Sequence, residues 1–200
     1  MSSCRIGLTG GIAAGKSTVA EWLRQAGFEV VDADQLVAQL YQPDREGSAV
    51  IARLLGSEYL TDDGRVDHGR VADRVFSDDE VRRQLESAIH PLVKREFEAI
   101  ASQTPGVVVL EAPLLVEAGF ATDFDLVITV EANPATRLQR AISRGLEPGE
   151  AKRRMAAQSS EATRTAAADR VVRNDGSLLD LHRQVAGLVA EIKGIEDNEP

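Results

Sequence analysis

Residues 6–23 read IGLTGGIAAGKSTVAEWL. A short apolar run stops at two adjacent glycines. A third glycine, a lysine and two hydroxyl residues follow, and apolar positions then recur at helical spacing (Val19, Trp22, Leu23, Ala26). That order puts a strand, a tight bend and a helix start in immediate succession. Gly10 to Ser17 matches G-x-x-x-x-G-K-[ST] at every fixed position. Such a loop turns backbone N–H groups inward, which needs residues that approach closely or take positive φ. The helix beginning near Lys16 adds the positive end of its dipole. A chain of phosphates meets both needs. Gly11, Ile12, Ala13, Ala14, Gly15, Lys16, Ser17 and Thr18 are the expected nucleotide-binding residues. Lys16 reaches the β- and γ-phosphates, and the Ser17 hydroxyl is placed to ligate Mg²⁺. A glycine-rich turn with an exposed lysine is the competing reading; the strand before it and the helix after it speak against that.

The rest of the chain repeats the strand–helix alternation. RIGLT, FEVVD, GVVVLE, FDLVITV and RVVRND are β-branched and nearly continuous in apolar character, as strands covered on both faces are. Helical patterns lie between them, and Leu181, Val185, Leu188 and Ile192 mark the last. The expectation is an α/β fold with a five-stranded parallel sheet and right-handed crossovers. One connection is too long for a simple crossover. About 70 residues separate FEVVD from GVVVLE without a clear strand, beyond the usual length of a connection. Val81, Leu85, Ile89, Val93, Phe97 and Ile100 mark a long helix there, with Pro91 as an expected kink. Residues 34–104 are therefore expected to form a helical insertion in a single 1–200 domain.

The chain carries a net charge of −9 and only 4% aromatic residues. That makes it a poor partner for nucleic acid or an anionic membrane, so an anionic ligand needs a local positive site. One cysteine excludes an intramolecular disulfide, and the three histidines have no metal-ligand spacing with it. No apolar run reaches the ~18–20 residues of a membrane span, and the N-terminus enters strand-like sequence at once. A cytoplasmic location follows as an expectation.

Further residues bear on chemistry. VVDAD closes the second strand, and strand alternation puts Asp32 and Asp34 on one face at the carboxyl end of the sheet. Asp34 is the candidate to orient a hydroxyl and accept its proton, Asp32 a structural or near-metal residue; capping of the next helix is the alternative for either. In EAPLL, Glu111 either approaches Mg²⁺ through water or simply ends its strand. Pro113 and Leu114, with Leu115, either wall a substrate or pack in the core. His90 either contacts substrate or is a buried helix histidine. Residues 137–164 are the basic exception, with seven Lys/Arg against three Glu. Gly145 and Pro148-Gly149 divide the segment into two helices, as expected of a hinged lid over residues 140–164. Arg140 and Arg144, one turn apart, are placed to face a triphosphate.

The ordered set IGLTGG…GKST, VVDAD, HPLV, PLLVE, TRLQRAISRG, AAQ followed by Arg164, and AADRVVRNDG resembles the dephospho-coenzyme A kinase family nearly end to end. The resemblance implies a P-loop kinase core with a helical acceptor-side insertion and a mobile lid. It also implies transfer of the γ-phosphate of MgATP to the ribose 3′-hydroxyl of dephospho-coenzyme A, the last step of coenzyme A synthesis. By position it makes Lys16 the phosphate-binding lysine and Asp34 the residue at the acceptor hydroxyl. Arg140 and Arg144 come to the phosphates, Asn174 to Gly176 lie near the adenine, and a monomer or weak homo-oligomer is expected. The chain departs from the family pattern at three places: Ala13-Ala14 where Gly-Ser or Gly-Ala is common, Asp44 where glycine is usual, and Arg170. The nearest alternative is a nucleoside or nucleotide kinase on the same scaffold. A GTP-dependent switch is disfavoured because no N-K-x-D motif is present.

Overall fold

The computed structural model describes residues 3–196. The elements run β1 (Cys4–Gly10), α1 (Lys16–Gln25), β2 (Glu29–Asp32), α2 (Ala33–Leu40), α3 (Glu46–Leu54), α4 (His68–Ser77) and α5 (Asp79–Gln103). They continue with β3 (Val107–Glu111), β4 (Leu126–Glu131), α6 (Pro134–Ser143), α7 (Pro148–Ala157), α8 (Glu161–Ala167), β5 (Arg170–Arg173) and α9 (Leu178–Glu196). The five expected apolar runs are the five strands, in the order β2-β3-β1-β4-β5. β1 lies parallel to β3 and β4, and β5 parallel to β4, with Ile6 opposite both Val109 and Leu126. β1 is thus an interior strand, buried on both faces, which suits its uncharged run from Ile6 to Gly10.

Two compact units emerge: residues up to Val31 with those from Ala101 onward, and Asp32–Ile100. The first holds the sheet. Its core joins Ile6, Leu8, Ile128 and Val130 of the sheet to Val19 and Leu23 of α1 and to Leu181, Val185, Leu188 and Ile192 of α9. Of the helix-spaced positions read from the sequence, Val19, Leu23 and the four of α9 are buried here, and Trp22 and Ala26 pack partly buried against them. Trp22 meets His182 edge to face at 5.2 Å. Arg170, which the sequence left without a role, pairs with Glu191 and ties β5 to α9.

The second unit holds α2–α4 and most of α5. Arg45 reaches Glu96 at 3.5 Å and Arg95 reaches Glu46 at 2.8 Å, two reciprocal ion pairs between the start of α3 and α5. α5 runs unbroken through Pro91 for 25 residues. Asp44, between α2 and α3, has φ 61°, the left-handed conformation that a glycine at this point would take freely. Aspartate is among the residues that tolerate it, so the turn survives the substitution.

One local expectation is corrected. β2 ends at Asp32, and Asp34 lies in the first turn of α2 rather than on the strand. Asp32 is the helix cap: its Oδ1 accepts from the Asp34 N–H at 2.8 Å and more weakly from Gln35. Strand alternation therefore does not relate the two aspartates. A capping carboxylate wins over one more strand residue because it satisfies N–H groups that the helix start leaves open.

Candidate active site

The glycine loop joins β1 to α1. Gly15 is the residue before α1, at φ 109°. No side chain caps this helix and its first turn carries no acid, whereas Asp32, Asp67, Asn133 and Ser160 cap α2, α4, α6 and α8. Its first-turn N–H groups therefore keep their partial positive charge for an anion.

Lys16 and Ser17 converge on one carboxylate. Lys16 Nζ donates to Glu111 Oε1 at 2.7 Å and Ser17 Oγ to the same oxygen at 3.0 Å, while Arg24 stands 3.6 Å from Oε2. Glu111 ends β3 and is 4% exposed, so its charge is compensated by these three groups. Two hard oxygens, Ser17 Oγ and Glu111 Oε1, lie 3.0 Å apart, a donor set that suits Mg²⁺ held by one protein oxygen directly and by the other through water. Among the described residues there is no cluster of three or more His, Cys, Asp or Glu that could hold a metal by itself.

The outer side of the loop is gripped by protein. A Cβ on Gly11 would lie 2.2 Å from Arg137 Cζ, and one on Gly15 would lie 2.2 Å from Asn174 Nδ2. These glycines admit the Arg137 and Asn174 side chains against the loop backbone. Asn174 Nδ2 donates to Ala14 O at 2.7 Å. Arg140 donates to Asn174 O at 3.1 Å and comes within 3.5 Å of Ala14 O. Ala13 takes φ 59°, so the loop keeps a left-handed residue where the common family pattern has glycine.

Arg140 and Arg144 border a cleft of about 210 Å³ with Gly15, Thr18, Asn174 and Gly176. The expected nucleotide residues on the loop and after β5 thus share one surface. Arg144 is exposed and Arg140 half-buried. The basic stretch spans α6, α7 and α8, three helices where the glycines and proline suggested two; Ser160 starts the third by capping it. Pro113 and Leu114 follow β3 in a turn, half-buried, while Leu115 packs into the interior at 1% exposure. In the other unit, Asp34 opens α2, and His90 lies half-buried on α5, where burial lowers its pKa against the opposing pull of Glu86.

Sequence reading missed Arg137, Gln158 and the Glu131–Arg164 pair. Arg137 is 5% exposed and donates through Nε to Ile12 O at 3.0 Å. Burial lowers its pKa, and the neighbouring Arg164 charge lowers it further. Gln158 Oε1 accepts from Ile12 N–H at 2.7 Å. Arg164 meets both oxygens of Glu131 at 2.7 Å, and both side chains are essentially fully buried. The available signal was Arg137, Arg140 and Arg144 at spacings of three and four, one stripe on α6.

A family model described as dephospho-CoA kinase matches residues 4–180. A dephospho-CoA kinase of Leifsonia xyli subsp. xyli is 42% identical over 195 residues, covering 94% of this chain and 98% of that one. Among solved structures, TT1252 from Thermus thermophilus superposes with a TM-score of 0.82 at 36% identity, over 96% of this chain and 98% of that one. A dephospho-CoA kinase from Campylobacter jejuni gives 0.70 at 25% identity, over 95% and 98%.

Proposed function

The chain belongs to the dephospho-CoA kinase family, and from that premise we propose that it transfers the γ-phosphate of ATP to the ribose 3′-hydroxyl of dephospho-coenzyme A. The observation that carries this reading is the convergence of Lys16 and Ser17 on Glu111 beside an uncapped helix start. Arriving phosphates compete with Glu111 for the Lys16 ammonium, which then stabilises charge on the β- and γ-phosphates. Ser17 would hold Mg²⁺ directly and Glu111 through water, and the ion would neutralise phosphate charge as the phosphoryl group leaves. Arg140 and Arg144 add positive charge at the cleft, and Asn174 to Gly176 border the adenine.

Asp34 orients the acceptor hydroxyl and takes its proton late, because the transition state for phosphoryl transfer is loose. His90, Pro113 and Leu114 contact the acceptor. Within the lid expected over residues 140–164, α7 closes about its anchored end at Gln158 when both substrates are bound. No described helix is long and apolar enough to cross a membrane. A cytoplasmic enzyme acting as a monomer or weak homo-oligomer fits this reading. The test is ADP release by purified protein with MgATP and a panel of acceptors. Dephospho-coenzyme A should be turned over, and nucleosides and nucleoside monophosphates should not. Preference for a nucleoside or its monophosphate would replace this reading with that of a nucleotide kinase.

A further inference from the structure

Ile12 stands at the middle of the phosphate loop, and side chains from outside the loop hold both its backbone polar groups. Its N–H donates to Gln158 Oε1 at 2.7 Å, and its carbonyl accepts from Arg137 Nε at 3.0 Å. The two holding groups are bonded to each other, Arg137 donating to Gln158 Oε1 at 3.2 Å. The guanidinium fills the space a side chain at position 11 would need. Gln158 is the residue that ends the basic helix α7. The next residue is fixed: Ser159 N–H donates to Glu117 Oε1 at 2.7 Å, and its carbonyl accepts from Arg164, itself locked to buried Glu131. Gln158 therefore reaches the loop from an anchored pivot, not from a free surface helix.

We infer that Gln158, with Arg137, is a positioning residue of the phosphate loop: it sets the direction of the Ile12 peptide and thereby the field the loop offers to the triphosphate. A carboxamide suits the place because it is a neutral acceptor. It satisfies one N–H and one guanidinium hydrogen without adding negative charge where phosphates bind. The end of α7 and the phosphate loop are thus one mechanical piece. The inference rests on the reading of this loop as an ATP site.

The experiment titrates the full chain with ATP and magnesium chloride by calorimetry, without acceptor, for wild type, Gln158→Glu and Gln158→Ala, with melting temperatures alongside. Glutamate keeps both acceptor contacts, so melting stays within about 2 °C. Its charge faces the phosphates, and ATP affinity falls about tenfold. Alanine frees the Ile12 peptide, and affinity falls about fivefold, the value of one neutral hydrogen bond. In turnover of dephospho-coenzyme A the Gln158→Ala loss appears in KM for ATP, with kcat changed less than about twofold. A residue that served folding alone would leave ATP affinity untouched in the folded alanine variant, which frees the Ile12 peptide without adding charge. Unchanged ATP affinity in either variant overturns the inference, and if one variant does not fold the other decides. Because binding is read without acceptor, a wild type that bound ATP but ignored dephospho-coenzyme A would fail the functional reading and leave the role of Gln158 standing.

Discussion

Replacing Arg164 by Met tests the buried framework behind the loop. The guanidinium gives two bonds of 2.7 Å to the two Glu131 oxygens and a third to Ser159 O, and the pair is 1% and 0% exposed. Methionine fills much of the volume but leaves the Glu131 carboxylate buried, with Thr129 Oγ1 at 2.7 Å as its remaining hydroxyl donor. An uncompensated buried charge of this kind costs about 3–5 kcal/mol. At ~2–4 °C per kcal/mol for a chain of this size, the melting temperature should fall by about 6–20 °C. Adding Glu131→Leu removes the stranded charge and should recover most of the loss. The assay is thermal and urea unfolding at neutral pH, followed by Trp22, the sole tryptophan. A fall below ~1 kcal/mol, the scale of an exposed pair, would refute the reasoning, as would a double variant no better than the single.

Three further outcomes follow from the same geometry. Lys16→Ala should fold normally, because Arg24 still faces Glu111, and should lose ~10²-fold or more in turnover; near-normal turnover would remove Lys16 from the chemistry. Asp34→Asn should keep ATP binding and lose roughly 10²–10⁴-fold in turnover, while Asp32→Asn, a cap change, should cost far less; the reverse result would exchange their roles. Ala13→Gly relieves a left-handed φ of 59°, and urea unfolding should show a gain of about 1 kcal/mol, whereas a loss would mean that the alanine methyl packs usefully.

The parts of the site that follow local rules were legible. The strand–loop–helix order of residues 6–23 and the apolar runs of interior strands depend on neighbours in sequence, and they appear where periodicity put them. Asp34 was assigned to the wrong element because a strand end and a helix cap share one short polar word, and hydrogen-bond satisfaction at the helix start decides between them. The roles of Arg137 and Gln158 are not legible, for another reason. A basic run usually coats a solvated face, and nothing local says that Arg137 lies buried at 5% exposure against Ile12, 125 residues away. The glycine at position 11 was read as room for phosphate; its contact with Arg137 is a tertiary fact. Glu111 was left between two readings, and only the fold brings Lys16, Ser17 and Arg24 to it.

Transfer of one phosphate to the 3′-hydroxyl is tested by incubating the purified chain with MgATP and dephospho-coenzyme A, isolating the product, and locating its new phosphate by mass spectrometry and phosphorus NMR. The account predicts a product one phosphate heavier than the acceptor, esterified at the ribose 3′ position, and none with Lys16→Ala at matched times. An unchanged acceptor with ATP hydrolysed to ADP, or phosphate found at another hydroxyl, would contradict it.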